Sequence, residues 1–239
     1  DRERARRNET RRDETRRDER LFDKSFAESF DARREIRDAR AAIPAFLPWA
    51  TLDPMGIKSL LVNLKAATER VHLRDYAGLR VGIDASCWLH KGTYSCSEDL
   101  CKGRANLAYV RYCMHNVKIL LRYGIVPVLV FDGDLLPMKK NEESSRHASR
   151  AAALEKALAA ERAGDAALAR ACFNKAVDVT PDMCRKLMDA CDEERVAYVV
   201  APYEADSQLA FMAHKKELDV VLTEDSDLLA YGVDRVLFK

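Results

Sequence analysis

The 239-residue chain is poor in glycine and proline, with nine and seven respectively. That excludes a collagen-like or uniformly low-complexity polymer. No two of its seven cysteines stand in a C-x-x-C pair. An odd number of scattered thiols suits a reducing compartment rather than a disulfide framework. The longest apolar run, Ile125–Phe131, is far shorter than the roughly 20 residues a membrane-spanning helix needs. The chain opens on charged residues, so no signal peptide is visible, and a soluble intracellular protein is expected. An excess of either charge is also lacking: 40 Lys and Arg face 39 Asp and Glu. Taken alone, that balance argues against a strongly basic nucleic-acid binder.

Several catalytic signatures are missing as well. There is no G-x-x-x-x-G-K-[ST] or G-x-G-x-x-G phosphate cradle and no G-x-S-x-G nucleophile elbow. The five histidines (His72, His90, His115, His147 and His214) have no zinc-binding spacing and no cysteine cluster beside them.

The chain divides at about residue 54. Residues 1–54 carry 14 basic and 13 acidic side chains and open on an arginine-rich five-residue repeat between Arg6 and Arg20. A segment so poor in apolar residues cannot offset its ordering entropy, and a disordered extension is expected there. From Met55 onward, short apolar runs alternate with helical patterns. The segments 79–85, 125–131, 196–201, 219–222 and 235–238 read as strands. Those at 105–123, 148–163, 166–177 and 181–194 read as helices, with Gly124 closing the first and Thr180-Pro181 opening the last. Strands separated by helices predict an α/β fold with a mainly parallel central sheet flanked by helices.

Acids collect at the ends of those strands. Asp84 closes the first and Asp132 follows the second. Glu204 and Asp206 follow the third, and Asp225 and Asp227 follow the fourth. Ligands of open parallel sheets bind outside the carboxyl ends of the strands, so six carboxylates should meet in one crevice. Asp at such positions also serves as a helix N-cap, which competes as an explanation for any single one of them. Together the six need cationic compensation. Two Mg²⁺ ions, with Mn²⁺ as a substitute, suit a site made of carboxylates, water and substrate phosphate. Beyond Asp132, the basic residues Lys139, Lys140, Arg146 and Arg150 begin a helical stretch. Three of them (Lys139, Arg146 and Arg150) recur at helical spacing, where a row of cations could hold a phosphate.

These residues carry a family resemblance. The relevant runs are Met-Gly-Ile-Lys-Ser-Leu-Leu from Met55, Ile-Asp-Ala-Ser-Cys-Trp-Leu-His-Lys-Gly from Ile83 and Val-Phe-Asp-Gly from Val130. Further on come Leu-Pro-Met-Lys-Lys from Leu136, Ala-Pro-Tyr-Glu-Ala-Asp from Ala201 and Thr-Glu-Asp-Ser-Asp-Leu-Leu from Thr223. Residues 55–239 resemble the structure-specific 5′ nucleases of the flap endonuclease and xeroderma pigmentosum group G superfamily, in particular their 5′→3′ exonuclease branch.

The resemblance implies metal-ligand roles for Asp84, Asp132, Glu204, Asp206, Asp225 and Asp227. It implies phosphate steering by Lys139 and Arg146 from a gateway helix, with help from Arg150 and Lys140. It also implies DNA contact at His90 and Lys91, a close approach of Gly56 to the site, and a helical arch reaching to about Ala176. The implied activity is Mg²⁺-dependent 5′→3′ exonuclease and 5′-flap cleavage of DNA with 5′ ends, nicks, gaps or flaps. It would act in the nucleus in mismatch repair and end resection, with mismatch-repair proteins engaged through regions outside this chain.

Three features depart from the family pattern. The 54 residues ahead of Met55 are unexpected. The helix–two-turn–helix module and a further aspartate that normally follow are not in this sequence. Ser86 replaces a usual aromatic, and Asp134 adds an acid nearby. Two other readings stay open: a DNA-junction scaffold that does not cut, and an RNA-cutting nuclease of the PIN type.

The charge balance now carries less weight against nucleic acid. Residues 55–239 hold 26 basic and 26 acidic side chains. Setting the six clustered acids aside leaves that region with six more basic groups than acidic ones.

Overall fold

A computed structural model describes residues 60–238; the segment 1–54 and Gly56, for which expectations were given above, lie outside the described residues. After a short helix α1 (Leu60–Asn63) and two 3₁₀ turns, the chain enters β1 (Arg80–Asp84), α2 (Ala85–Thr93), α3 (Ser97–Cys101) and α4 (Ala108–Arg122). Strand β2 (Val126–Phe131) follows, then a 3₁₀ turn (Pro137–Lys139), α5 (Lys140–Arg162), α6 (Ala166–Ala176) and α7 (Pro181–Glu193). The chain then runs through β3 (Ala197–Val200), α8 (Ala205–His214), β4 (Val220–Thr223), α9 (Asp227–Ala230) and β5 (Val236–Phe238).

All four strand pairings are parallel, in the order β3-β2-β1-β4-β5. Parallel strands need crossover connections, and the intervening helices cover both faces of the sheet. The alternation of side chains shows this directly. Val81, Ile83, Leu129, Phe131, Val220 and Leu222 face one core with α2, α4 and α7. Val128, Val130 and Val221 face the other with Ala205, Leu209 and Met212 of α8 and Leu228 of α9. Pro127 is tolerated because of its register. The Val126 N–H bonds Leu79 on the β1 side, so the nitrogen of Pro127 faces β3, whose ladder starts only at Val128.

The helices follow their sequence signals. On α4, Tyr109, Cys113, Val117 and Leu120 form the buried stripe. Gly124 stops it at φ 73°, a conformation that costs glycine little. Thr180 caps α7, its hydroxyl accepting from the Met183 N–H at 3.3 Å with Pro181 at the first helical position. Met183, Leu187 and Cys191 are the buried row of that helix. The Ala-rich helix expected from residue 148 begins eight residues earlier, at Lys140. Helices α2, α3, α8 and α9 were not among the expected elements; each is short and begins directly on a turn or strand end. The seven cysteines are all free. Among the described residues, no helix is long and apolar enough to cross a membrane.

Helices α5 and α6 form a hairpin with a core of its own, built from Ala157, Ala160, Ala169 and Phe173. The alanines let the two helices approach closely, and Asp165 caps α6 by accepting from the Leu168 N–H at 3.0 Å. The hairpin is tied to α3. Lys102 pairs with Glu161 and stands 5.3 Å from the centre of the Phe173 ring, while the Ser97 hydroxyl donates to Asn174 at 2.6 Å. Because Phe173 is nearly all the aromatic bulk in this small core, Phe173→Ala should cost about 3–5 kcal/mol locally. Hydrogen exchange should speed up across 154–173 while β1 and β2 keep their protection. Uniform loss of protection would show instead that hairpin and sheet unfold as one unit.

Candidate active site

The sheet order reverses at β1: the chain runs outward through β2 and β3, then returns to β4 on the other side. Such a switch point opens a crevice at the carboxyl ends of the strands. Asp84 ends β1 and is buried. Its Oδ1 caps α2, accepting from the Ser86 and Cys87 N–H groups at 2.8 and 3.3 Å. The N-cap explanation therefore holds for Asp84 as a local fact, without accounting for its neighbours. Asp132, on the exposed loop after β2, accepts from the Ala205 N–H at 2.8 Å through Oδ1 and from the Ser86 hydroxyl through Oδ2. Glu204 stands at the N-cap position of α8 but makes no capping bond with its side chain. Asp225 accepts from the Asp227 N–H at 2.9 Å, and its own N–H donates to the buried Thr223 hydroxyl at 3.0 Å.

The fold brings these acids into mutual electrostatic range. Asp206 is pushed up to about 7, first by burial and then by the charges of Asp84, Asp225, Asp132 and Asp227. Burial raises Asp84 to about 6, against its helix-terminal hydrogen bonds and with Asp132 adding to the rise. Burial also lifts Asp225, with the Asp227 carboxylate contributing. Glu204 joins through Lys139, whose ammonium pairs with it, is held above the usual lysine value chiefly by that hydrogen bond, and also lowers Asp225.

The loop walls are held by backbone. The N–H groups of Gly133 and Asp134 donate to Tyr203 and Pro202 at 2.6 and 3.1 Å, joining the loop after β2 to the one after β3. A β-carbon at Gly133 would lie 1.9 Å from the Ala201 carbonyl oxygen, so only glycine permits this approach.

The basic residues are arranged less uniformly than helical spacing suggests. Lys139 closes the 3₁₀ turn ahead of α5 rather than lying within the helix. Arg146 is 62% exposed, with a loose 3.6 Å contact to Glu143. Arg150 is bound by Glu143 and Asp178 at 3.0 and 3.1 Å, which ties α5 to the segment ahead of α7. Lys140 is exposed. Burial, then the Arg150 charge, lowers His90 below the usual histidine value. Lys91 pairs with Glu224, both largely covered. The partnership of Lys91 with Glu224 was not expected. The position of Glu224 beside Asp225 was the one available signal for it.

The donor set fits a hard, oxygen-ligated cation. Asp206 and Asp227 each keep one buried carboxylate oxygen without a hydrogen-bond partner. An orphaned anionic oxygen in a cluster of acids is costly unless a cation meets it. Among the described residues, no group of three or more His, Cys, Asp or Glu side chains is placed to hold a metal ion. The chemistry of the donors, carboxylate oxygens without histidine or cysteine, is that of a hard divalent cation.

The XPG N-terminal domain model matches residues 55–153 and the XPG I-region model matches 195–239, together more than half of the chain. The chain is 45% identical over 185 residues to Exonuclease 1 of Arabidopsis thaliana and 46% identical over 185 residues to that of Xenopus laevis, covering 77% of this chain and 25% of each relative. Exodeoxyribonuclease 1 of Schizosaccharomyces pombe is 38% identical over the same length, with 32% of that relative covered. The chain thus spans about a quarter to a third of the length of these relatives. Among solved structures, the catalytic core of Rad2 in complex with DNA substrate superposes with a TM-score of 0.57 at 22% identity, over 77% of this chain and 51% of that one. Human GEN1 in complex with Holliday junction DNA gives 0.52 at 16%, over 77% and 40%. At these identities the structural matches establish the shared fold.

The raised carboxyls fix a pH dependence. Asp84 and Asp206 bind protons more tightly folded than unfolded, so their contribution to stability is full below about pH 4 and is lost as pH rises through about 6 to 7. In EDTA, the unfolding midpoint should fall between pH 5 and pH 8. Asp206→Asn should flatten that fall, and Mg²⁺ should restore the midpoint at pH 8. A midpoint that rises over this interval in EDTA would contradict the crowding of the acids.

Proposed function

The chain belongs to the XPG family, and from that premise we propose that it is the catalytic part of a Mg²⁺-dependent 5′→3′ DNA exonuclease with 5′-flap endonuclease activity. The observation that carries this reading is the meeting of Asp84, Asp132, Asp206, Asp225 and Asp227 from three strand ends and two helix starts, with Glu204 joined through Lys139. Asp84, Asp132, Glu204, Asp206, Asp225 and Asp227 would hold two Mg²⁺ ions, directly or through water, supplying an activated water and charge stabilisation at the leaving oxygen.

The chain's own groups do the rest. Lys139 and Arg146 bind the phosphate next to the bond to be cut and neutralise its charge. Lys139 spends the substrate-free state on Glu204 and transfers to phosphate when DNA enters. Arg150, committed to Glu143 and Asp178, holds α5 in place rather than meeting DNA directly. Lys91 does the same for the turn after β4 through Glu224. His90, lowered by burial and by the Arg150 charge, and the exposed Lys140 are the groups proposed to contact DNA.

The names of the relatives, Exonuclease 1 and Exodeoxyribonuclease 1, support exonuclease action on DNA. We assign the protein to the nucleus, to mismatch repair and end resection, with mismatch-repair proteins as partners through other parts of the molecule. Residues 1–54 are proposed to be a charged extension separate from the nuclease domain beginning at Met55.

With Mg²⁺, the purified chain should degrade recessed 5′ ends and cut 5′ flaps. Asp225→Ala should reduce turnover by at least about 100-fold, since it removes a ligand from a site where even outlying partners have effects of that order. Lys139→Ala should lower kcat by about 100-fold with metal affinity kept. Equal cleavage by wild type and Asp225→Ala would overturn the assignment, and a preference for RNA in competition would replace the substrate class.

A further inference from the structure

Ser86, the second residue of α2, touches two of the clustered acids at once. Its N–H donates to Asp84 Oδ1 at 2.8 Å, and its hydroxyl donates to Asp132 Oδ2. The other oxygen of Asp132 accepts from the first N–H of α8 at 2.8 Å. Asp132 is therefore a loop carboxylate in an exposed position, yet both of its oxygens are held from helix starts on either side of it.

We propose that Ser86 is a positioning residue for the metal site: its hydroxyl fixes the plane and distance of the Asp132 carboxylate relative to Asp84 and so sets the divalent-ion affinity of the pair. A loop aspartate with one hydrogen bond can swing about its side-chain torsions. A second bond from a rigid helix start removes that freedom before a cation arrives. The hydroxyl also ties Asp132 to the helix that Asp84 caps, against the repulsion between the two carboxylates. Such partners of metal-ligating groups commonly change metal affinity by about 10–100-fold when removed. Neither the carboxylates alone nor the Ser86 backbone can replace the hydroxyl, because the N–H of Ser86 is already committed to Asp84.

The inference rests on the proposed metal site, and the experiment separates the two. Mn²⁺ is titrated calorimetrically into wild type, Ser86→Ala, Ser86→Cys and Ser86→Thr, with unfolding midpoints measured in EDTA. Ser86→Ala and Ser86→Cys should bind Mn²⁺ about 10-fold or more weakly while unfolding near the wild-type midpoint. Ser86→Thr, which keeps the hydroxyl at a half-buried position, should stay within about threefold of wild type. If Ser86→Ala fails to fold, the contrast between cysteine and threonine decides. Wild-type affinity in Ser86→Cys or Ser86→Ala overturns the role of the hydroxyl and leaves the metal site standing. Equal weakening in Ser86→Thr assigns the effect to packing and also overturns it. A wild-type chain that takes up no Mn²⁺ removes both readings together.

Discussion

Mutual repulsion among carboxylates at the ends of parallel strands is the constraint around which the rest of the molecule is arranged. Placing Asp84, Asp132, Asp206, Asp225 and Asp227 within each other's fields is unfavourable; Asp206 and Asp84 are pushed up first by burial and then by the neighbouring carboxylates. The fold tolerates it because two closely packed cores hold β1, β2 and β4 in register from both faces. It is also eased by donors spent on the acids themselves: helix-start N–H groups on Asp84 and Asp132, the Asp227 N–H on Asp225, and Lys139 on Glu204. One carboxylate oxygen each of Asp206 and Asp227 is left buried without a hydrogen-bond partner. A site that is destabilising without its cation is expected of a site made for one.

The basic groups divide into two kinds of work. Arg150 and Lys91 are bound to carboxylates and half-buried; pairs of this kind fix geometry more than they add net stability. Arg146 and Lys140 remain open to solvent, where a phosphate can reach them. Lys139 stands between, half exposed and paired with an acid of the cluster itself. Its position in a turn just ahead of α5, rather than inside the helix, gives it that reach. The α5–α6 hairpin rises beside the crevice on its own small core, with ties to α3 through Lys102 and Ser97.

Much of this was readable in the chain. Short apolar runs located all five strands to within a residue or two; β1, β2 and β4, buried on both faces, are nearly continuous in apolar residues. Thr180, Pro181 and Gly124 marked helix ends by local chemistry alone. The six acids stood out through their place after strands. Helices α2, α8 and α9 were harder to see because each begins on the very residues that form the site: polar starts such as Asp84 and Glu204 interrupt the apolar period, and tertiary burial supplies the rest. The arginine and lysine row was legible as a spacing but not as a set of partners, since Glu143, Asp178 and Glu204 lie at distances in sequence that no helical period connects.

Sequence alone determined the alternation of strands and helices and the chemistry of the acids, whose crowding calls for cationic compensation. Those follow from local periodicity and residue type. Tertiary structure decided which charges meet. Only the reversal of strand order at β1 puts the ends of β2 and β4 on either side of Asp84, and only the packing of α2 and α8 against the sheet aims the Ser86 hydroxyl and the Ala205 N–H at opposite oxygens of Asp132. Hydrogen bonds and ion pairs act over a few ångströms, so partners that are 46 or 73 residues apart in the chain become chemistry once the fold has closed.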